Sequence, residues 1–409
     1  MTIQEKQDQL EQEISLGKDI SIINLIDYLI EQAHKHRASD IHIDPNSHNI
    51  RIRFRIDGVL QDAFEFPKKI HNEIISRIKV LSKLRSDEHQ ATQDGRFRYT
   101  LPDAGEFIDM RISIVPTYHG ENVVMRLLTE NQEHHDLESL GFSENDIKKI
   151  TNALNKTSGM ILSTGPTGSG KTTTLYTLIK MLNSAEVSIV TIEDPIEYAI
   201  NGVEQIQVNN QKGLTFGSGL RSILRQDPNI IMVGEIRDAE TASIAVNTAL
   251  TGHLLLSTLH TNDAATTLPR LLDMGIEEYL VASTVNIAIG QRLLRKICPN
   301  CKEKQKMTET IRKSFTNTTF YPFLQKMTEF YVGKGCEKCS GSGYRGRTCI
   351  NEVLVADESI REAILRKAPS SEIKNLAISH GMTTMLEDGF QKVKTGITTL
   401  EEILRVIHE

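Results

Sequence analysis

From Ser21 onward the apolar residues fall at helical spacing. Ile22, Leu25, Ile26, Leu29, Ile30 and Ala33 recur every three to four positions, and Ser21 is placed to cap the first turn. The rhythm then changes to a period of two: Ile50, Ile52, Phe54 and Ile56 alternate with Arg51, Arg53 and Arg55, and Asp57-Gly58 follows as a hairpin turn signal. A helix over about 68–84 and a second strand pair over about 95–127 continue the mixture. Together these patterns predict an α+β domain over 21–130, behind a loose polar tail of residues 1–20.

The stretch ENQEHHDLESLG is polar and unpatterned, which predicts a linker over 131–140. Beyond it, short apolar runs at 160–164, 187–192, 230–233 and 254–259 alternate with helical stretches. That alternation predicts a parallel sheet wrapped in helices, over 141–297. A Gly-rich, weakly patterned segment carrying cysteines covers 298–345, and mainly helical periodicity over 346–409 closes the chain. The fold class is therefore α/β, with an α+β domain in front of it.

Composition narrows the class of protein. The 409 residues are 39% hydrophobic and 24% charged, as in an ordinary globular chain, and the net charge of −6 gives no global positive field for nucleic acid or anionic lipid. The N-terminus lacks the basic and apolar regions of a signal peptide, and no apolar run approaches a membrane span, so a cytoplasmic protein is expected.

The chemistry begins at GPTGSGKTTT. Gly165, Pro166, Thr167, Gly168, Ser169, Gly170, Lys171 and Thr172 fit G-x-x-x-x-G-K-[ST] between an apolar strand and a helix, with Thr173 next in line. Such a loop turns backbone N–H groups inward around phosphates, while the helix N-terminus adds partial positive charge. Lys171 is expected to neutralise the β and γ phosphates of ATP, and Thr172 to ligate Mg²⁺. Hydrolysis also needs groups that orient water and balance charge. IVTIEDPIE supplies Glu193, Asp194 and Glu197, and NIIMVGEIRD supplies Glu235, each at the end of an apolar run. In a parallel sheet those ends converge on the edge that carries the loop. His260, closing HLLLSTLH, should reach the same edge, whereas His253 before that strand reads as structural.

These motifs, with GLTF, LRSILRQDPN, IMVGEIRDAETA, TGHLLLSTLHTND, paired cysteines and GMTTMLEDGFQKVKTGITTLEEILRV, stand in the order of a known family. The chain resembles the secretion and pilus-assembly ATPases, of the GspE/PulE/PilB type, from about residue 21 to the end. The resemblance implies a RecA-like P-loop core, a PAS-like domain before it, and a homo-hexameric ring. That ring would work in the cytoplasm, associated peripherally with the inner membrane through a platform protein. Lys171 and Thr172 then match the family's Walker A residues, Glu197 with Glu193 and Asp194 its Asp box, Glu235 its Walker B acid, and His260 its His box. Arg111 and Arg126 match first-domain arginines that contact phosphate, and Arg221, Arg225 and Arg237 match basic positions around the site. Whether Glu197 or Glu235 is the general base stays open. Many members carry a further N-terminal domain that docks them on the platform. Only a short tail precedes Ser21 in this sequence, so the usual docking mode is not expected.

Cys298-Pro-Asn-Cys301 and Cys336-Glu-Lys-Cys339 offer four thiolates, enough to close a tetrahedral Zn²⁺ site of structural type. Cys349 is the spare and reads as a small buried hydrophobe. Two other functions compete: a RecA-like motor on nucleic acid, supported by the Arg51/Arg53/Arg55 stripe, and a nucleotide switch that does not turn over. Acidic balance and few aromatics weigh against the first. The paired carboxylates weigh against the second. The expected function is ATP hydrolysis that drives assembly of a type IV pilus or a type II secretion pseudopilus, without direct contact to nucleic acid.

Overall fold

The alternation of isoleucines and arginines becomes strand β2 (Asn49–Ile56), between β1 (Ala38–Pro45) and β3 (Val59–Pro67). The computed structural model describes residues 21–102, 107–129, 136–314, 321–325 and 327–408, and the chain divides into two units, Met1–Glu133 and His134–Glu409. The sequence-predicted tail of 1–20 and residues 131–135 of the expected linker lie outside the described residues.

In the first unit, β4 (Gln93–Thr100), β5 (Phe107–Thr117) and β6 (Gly120–Thr129) join the first three strands in one antiparallel sheet, in the order β3-β2-β1-β6-β5-β4. Where the sequence predicted two strands, there are three. Register explains the single core. Ile41 faces Phe54 and Met125, Ile43 faces Ile52 and Val123, and Met110 faces Leu127, so one face of the sheet is apolar. The helices Ile22–Lys35 and His71–Leu81 contribute their buried apolar residues to that same cluster. The second helix is shorter than the sequence predicted: Lys68–Ile70 form a 3₁₀ turn, and Lys83 beyond the C-cap takes φ 56°. A sheet with helices over one face has the outline expected of a PAS-like domain.

The second unit is built on β7 (Gly159–Thr164), β8 (Ile189–Glu193), β9 (Glu204–Gln207), β10 (Ile230–Val233), β11 (Leu254–Leu259) and β12 (Val285–Ile297). These strands are mutually parallel. β7, β8, β10 and β11 are buried throughout, which is why they read as continuous apolar runs rather than alternations. A small hairpin of β13 (Lys302–Lys306) and β14 (Glu329–Gly333) follows, and β15 (Tyr344–Val355) then returns antiparallel to β12. The seven-stranded order is β15-β12-β7-β11-β10-β8-β9. Separate apolar clusters lie on its two sides, one with Lys171–Leu182 and Glu144–Leu154, the other with Ala239–Leu250 and Ala264–Asp273.

Two local readings change. Leu137–Leu140, expected in the linker, forms a short helix capped by Asp136, with Leu137 and Leu140 buried in the second unit's core. Its two leucines were too few to show a period. The closing segment is not helical from its start, because residues to Val355 form an edge strand of the central sheet. The helices Met385–Lys394 and Leu400–His408 share a core with Leu294, Ile350, Leu324 and Phe330, so the cysteine-bearing insert and the C-terminal helices pack as one body.

Candidate functional site

β7 stops at Thr164 and the next helix begins at Lys171, so residues 165–170 form the turn between them. Gly165, Gly168 and Gly170 all take positive φ. Pro166, Thr167 and Gly168 make an exposed rim, while Ser169 is buried and its hydroxyl has no partner among the described residues. Lys171 is 8% exposed and folds back on the loop, donating to the carbonyls of Gly165 (2.8 Å) and Pro166 (3.0 Å). Burial lowers its pKa and the nearby Glu235 carboxylate opposes that shift. Thr172 is exposed at the helix start, and Thr173 follows it with its carbonyl accepting from Thr177. An orphaned hydroxyl, an open rim and a lysine held by carbonyls that phosphate oxygens can replace fit a nucleotide with Mg²⁺.

Strand order decides what stands beside the loop. β11 lies between β7 and β10, so His260 at its end falls between the loop and Glu235. Glu235 is 9% exposed and is held from two sides. Arg237 donates to Oε1 at 2.6 Å, and His260 Nε2 lies 3.0 Å from Oε2. The hydrogen bond to Glu235 raises the pKa of Arg237, with Asp194 adding to the effect. Thr164 and Thr261, which the sequence did not single out, tie the loop's strand to the residue after His260 (Thr261 N–H to Thr164 Oγ1, 3.0 Å).

The carboxylates of the next segment do not share one environment. Glu197 is exposed, as is Asp194. Glu193, expected among the catalytic acids, is buried with both oxygens engaged: Thr191 donates at 2.6 Å, Gln205 at 3.1 Å, and Tyr176 donates its hydroxyl. The Tyr176 oxygen in turn accepts from the Glu197 N–H at 3.3 Å. Glu193 therefore anchors the segment that carries Glu197, a role invisible in the sequence because Tyr176 lies in the loop's own helix. Arg221 pairs with Glu240 of helix Ala239–Leu250 at 2.7 Å, and Arg225 donates to the Arg221 carbonyl at 2.9 Å. His253 bonds the Thr248 carbonyl at 3.1 Å.

In the first unit, cross-strand register sets Arg55, Asp40, Arg126, Arg111 and Arg96 in one row on the face opposite the core. Asp40 accepts from Arg126 at 3.0 Å and lies 3.5 Å from Arg55. The arginine stripe is matched by acids: Arg51 meets Asp62 at 2.5 Å and Arg53 meets Asp44 at 2.7 Å. A paired face is what solvation alone would produce, and it removes the main support for nucleic acid.

Cys298, Cys301, Cys336 and Cys339 bring their sulfurs within 4.8 Å of one another, a group able to hold a metal ion. Cys298–Cys336, Cys301–Cys339 and Cys336–Cys339 are 3.9, 3.8 and 3.7 Å apart. Four thiolates about 2.3 Å from a tetrahedral ion would be about 3.8 Å apart, so the set fits Zn²⁺. N–H groups of Cys336 (3.1 Å) and Gly343 (3.3 Å) point at Cys339 Sγ, as a thiolate ligand requires. The site lies where β12 ends and β15 begins, since the Cys298 N–H bonds the Gly343 carbonyl at 2.9 Å.

A phosphate loop on an inner parallel strand, with a histidine-bearing strand between it and an acid-bearing one, defines a RecA-like P-loop ATPase. The chain belongs to the Type II/IV secretion system protein family, which matches residues 15–405. It is 45% identical, over 96% of its length and 76% of the relative's, to the Type II secretion system ATPase E of Vibrio cholerae. To the Type IV pilus assembly ATPase PilB of Myxococcus xanthus it is 42% identical, over 98% of this chain and 70% of that one. Among solved structures, the pilus retraction motor PilT with bound ADP matches with a TM-score of 0.62 and 26% identity, covering 93% of this chain and 96% of that one. No helix among the described residues is long and apolar enough to cross a membrane.

Proposed function

We propose that this protein is the motor ATPase of a type II secretion or type IV pilus-assembly machine. It works as a homo-hexamer on an inner-membrane platform protein, at the cytoplasmic face. The observation that carries the reading is Glu235, buried at the loop's edge of the sheet and oriented by both His260 and Arg237.

Bound MgATP supplies the anhydride to be cleaved. Lys171 exchanges its carbonyl partners for the β and γ phosphates, and Thr172 offers its hydroxyl to Mg²⁺. Glu235 and Glu197 are the acids left to order Mg²⁺ and its waters and to take a proton from the attacking one. Glu193 holds the Glu197 segment in place. His260 senses the γ phosphate through the carboxylate that it already contacts. Arg111 and Arg126 supply positive charge to the phosphates, and Arg221, Arg225 and Arg237 are further basic residues around the nucleotide. The four cysteines would hold Zn²⁺ as a structural ion, with no open position for catalysis.

The test is steady-state phosphate release by purified protein with MgATP, beside Lys171→Ala, together with the mass of the nucleotide-bound assembly. Turnover by a hexamer, lost in Lys171→Ala and indifferent to single-stranded DNA, is the expected result. Turnover that depends on single-stranded DNA would overturn the assignment.

A further inference from the structure

We propose that Gln291 is a positioning residue for the phosphate loop, its buried amide setting the direction of the loop's peptides. The inference rests on the nucleotide reading above. Gln291 stands on β12, next to Gly290, which pairs with Thr164 at the last position of β7. It therefore lies under the loop as the chain leaves the strand. The residue is fully buried. Its Nε2 donates to the Ser169 carbonyl at 2.9 Å, and its Oε1 accepts from Ser163 Oγ at 3.2 Å.

The close packing has two further signs. A Cβ on Gly165 would lie 2.3 Å from the Gln291 carbonyl oxygen, and one on Gly170 would lie 3.1 Å from Gln291 Nε2. Both ends of the loop thus rest on this one residue, at positions where φ is +143° and +90°. No other side chain donates to the Ser169 carbonyl among the described residues.

The consequence follows from peptide geometry. In a planar trans peptide the C=O and the following N–H point in opposite directions. Holding the Ser169 carbonyl down onto Gln291 turns the Gly170 N–H the other way, away from the floor. A phosphate-binding nest needs its N–H groups turned inward together. Gln291 enforces that arrangement before any ligand arrives, so binding need not reorganise the loop. A leucine would fill the same volume and leave the Ser169 carbonyl buried without a donor.

Gln291→Met keeps the length and removes the amide. Measure equilibrium affinity for ADP and for a non-hydrolysable ATP analogue, steady-state KM and kcat, and the thermal midpoint. Because the loop grips phosphate in ground and transition states alike, Kd and KM should rise about tenfold while kcat at saturation changes little. Ser163→Ala, which frees the other end of the amide, should produce a smaller rise of the same kind. A lowered thermal midpoint with wild-type Kd and KM would overturn the proposal, as would a fall in kcat at constant KM. Should Gln291→Met not fold, unchanged affinity in Ser163→Ala overturns it. Wild-type protein that binds no nucleotide would overturn the underlying site reading instead, with Lys171→Ala as the reference for a disabled loop.

Discussion

Arg126 stands directly opposite Arg111 in the β5–β6 ladder, so two guanidinium groups share one face of the first unit. Like charges placed so cost a few tenths of a kcal/mol in a sheet, and Arg126 recovers part of that through Asp40. Arg55, 3.5 Å from the same carboxylate, would keep it partnered if Arg126 were removed. Arg126→Ala should therefore leave the thermal midpoint nearly unchanged. If the arginine supplies its charge mainly in the transition state, as proposed, turnover should fall by about tenfold or more, with ATP affinity much less affected. Mixing this variant with Glu235→Gln under subunit exchange separates the two geometries. Activity above both parents means that the arginine acts on a neighbouring chain, and activity at their average means its own. Full activity of Arg126→Ala alone would take the residue out of the mechanism.

Glu235→Gln should bind ATP as the wild type does and hydrolyse it at least about a hundredfold more slowly. The amide can still meet His260 or Arg237 but cannot accept a proton. Nucleotide titration and phosphate release on the same preparation decide it, and near-normal turnover would pass the general-base role to Glu197.

Tyr176→Phe removes a hydroxyl that donates to buried Glu193 and accepts from the Glu197 N–H. A buried carboxylate oxygen left without its donor costs about 1–3 kcal/mol. The variant should melt earlier and, at temperatures where it is folded, turn over several-fold more slowly with unchanged ATP affinity. Loss of affinity rather than rate would place Tyr176 with the loop instead of with the Glu197 segment.

Purified protein should carry about one zinc per chain, and Cys336→Ser should lose it. Structural zinc contributes on the order of 10 kcal/mol to its module. Hydrogen exchange should then rise at Cys298, whose N–H bonds the Gly343 carbonyl, and at Gly343, whose N–H points at Cys339 Sγ. Protein prepared without chelator that contains no metal would refute the assignment.

Burial raises the pKa of Glu352, which accepts from Ala264 N–H at 2.8 Å, against the lowering effect of Lys374. Between the unfolded carboxyl value of about 4.3 and the raised folded one, the folded chain holds a proton that the unfolded chain releases. That contribution is complete below the unfolded value and is lost as pH rises through the folded one. Glu352→Gln should remove it, so the difference in thermal midpoint between wild type and variant should grow in the variant's favour from pH 4.5 to 7. Parallel curves would show that Glu352 titrates normally.

Local pattern determined a good deal here. The runs at 230–233 and 254–259 match β10 and β11 end to end, because strands buried on both faces are dominated by apolar residues, and the two polar ones in β11, Ser257 and Thr258, bond the backbone carbonyls of Val233 and Gly234. The phosphate loop and the four cysteines were legible because their chemistry depends on close spacing within the chain. Tertiary structure alone decided the rest. Glu193 and Glu197 look equivalent in sequence, yet one is buried under Tyr176 and the other exposed, since which carboxylate meets the core depends on a helix packed against it. β15 was hidden within a helical reading because an edge strand completes a sheet whose other members lie far back in the chain. Gln291 gave no signal at all: a glutamine between Gly290 and Arg292 takes its meaning from the carbonyl 122 residues earlier that it was folded to meet.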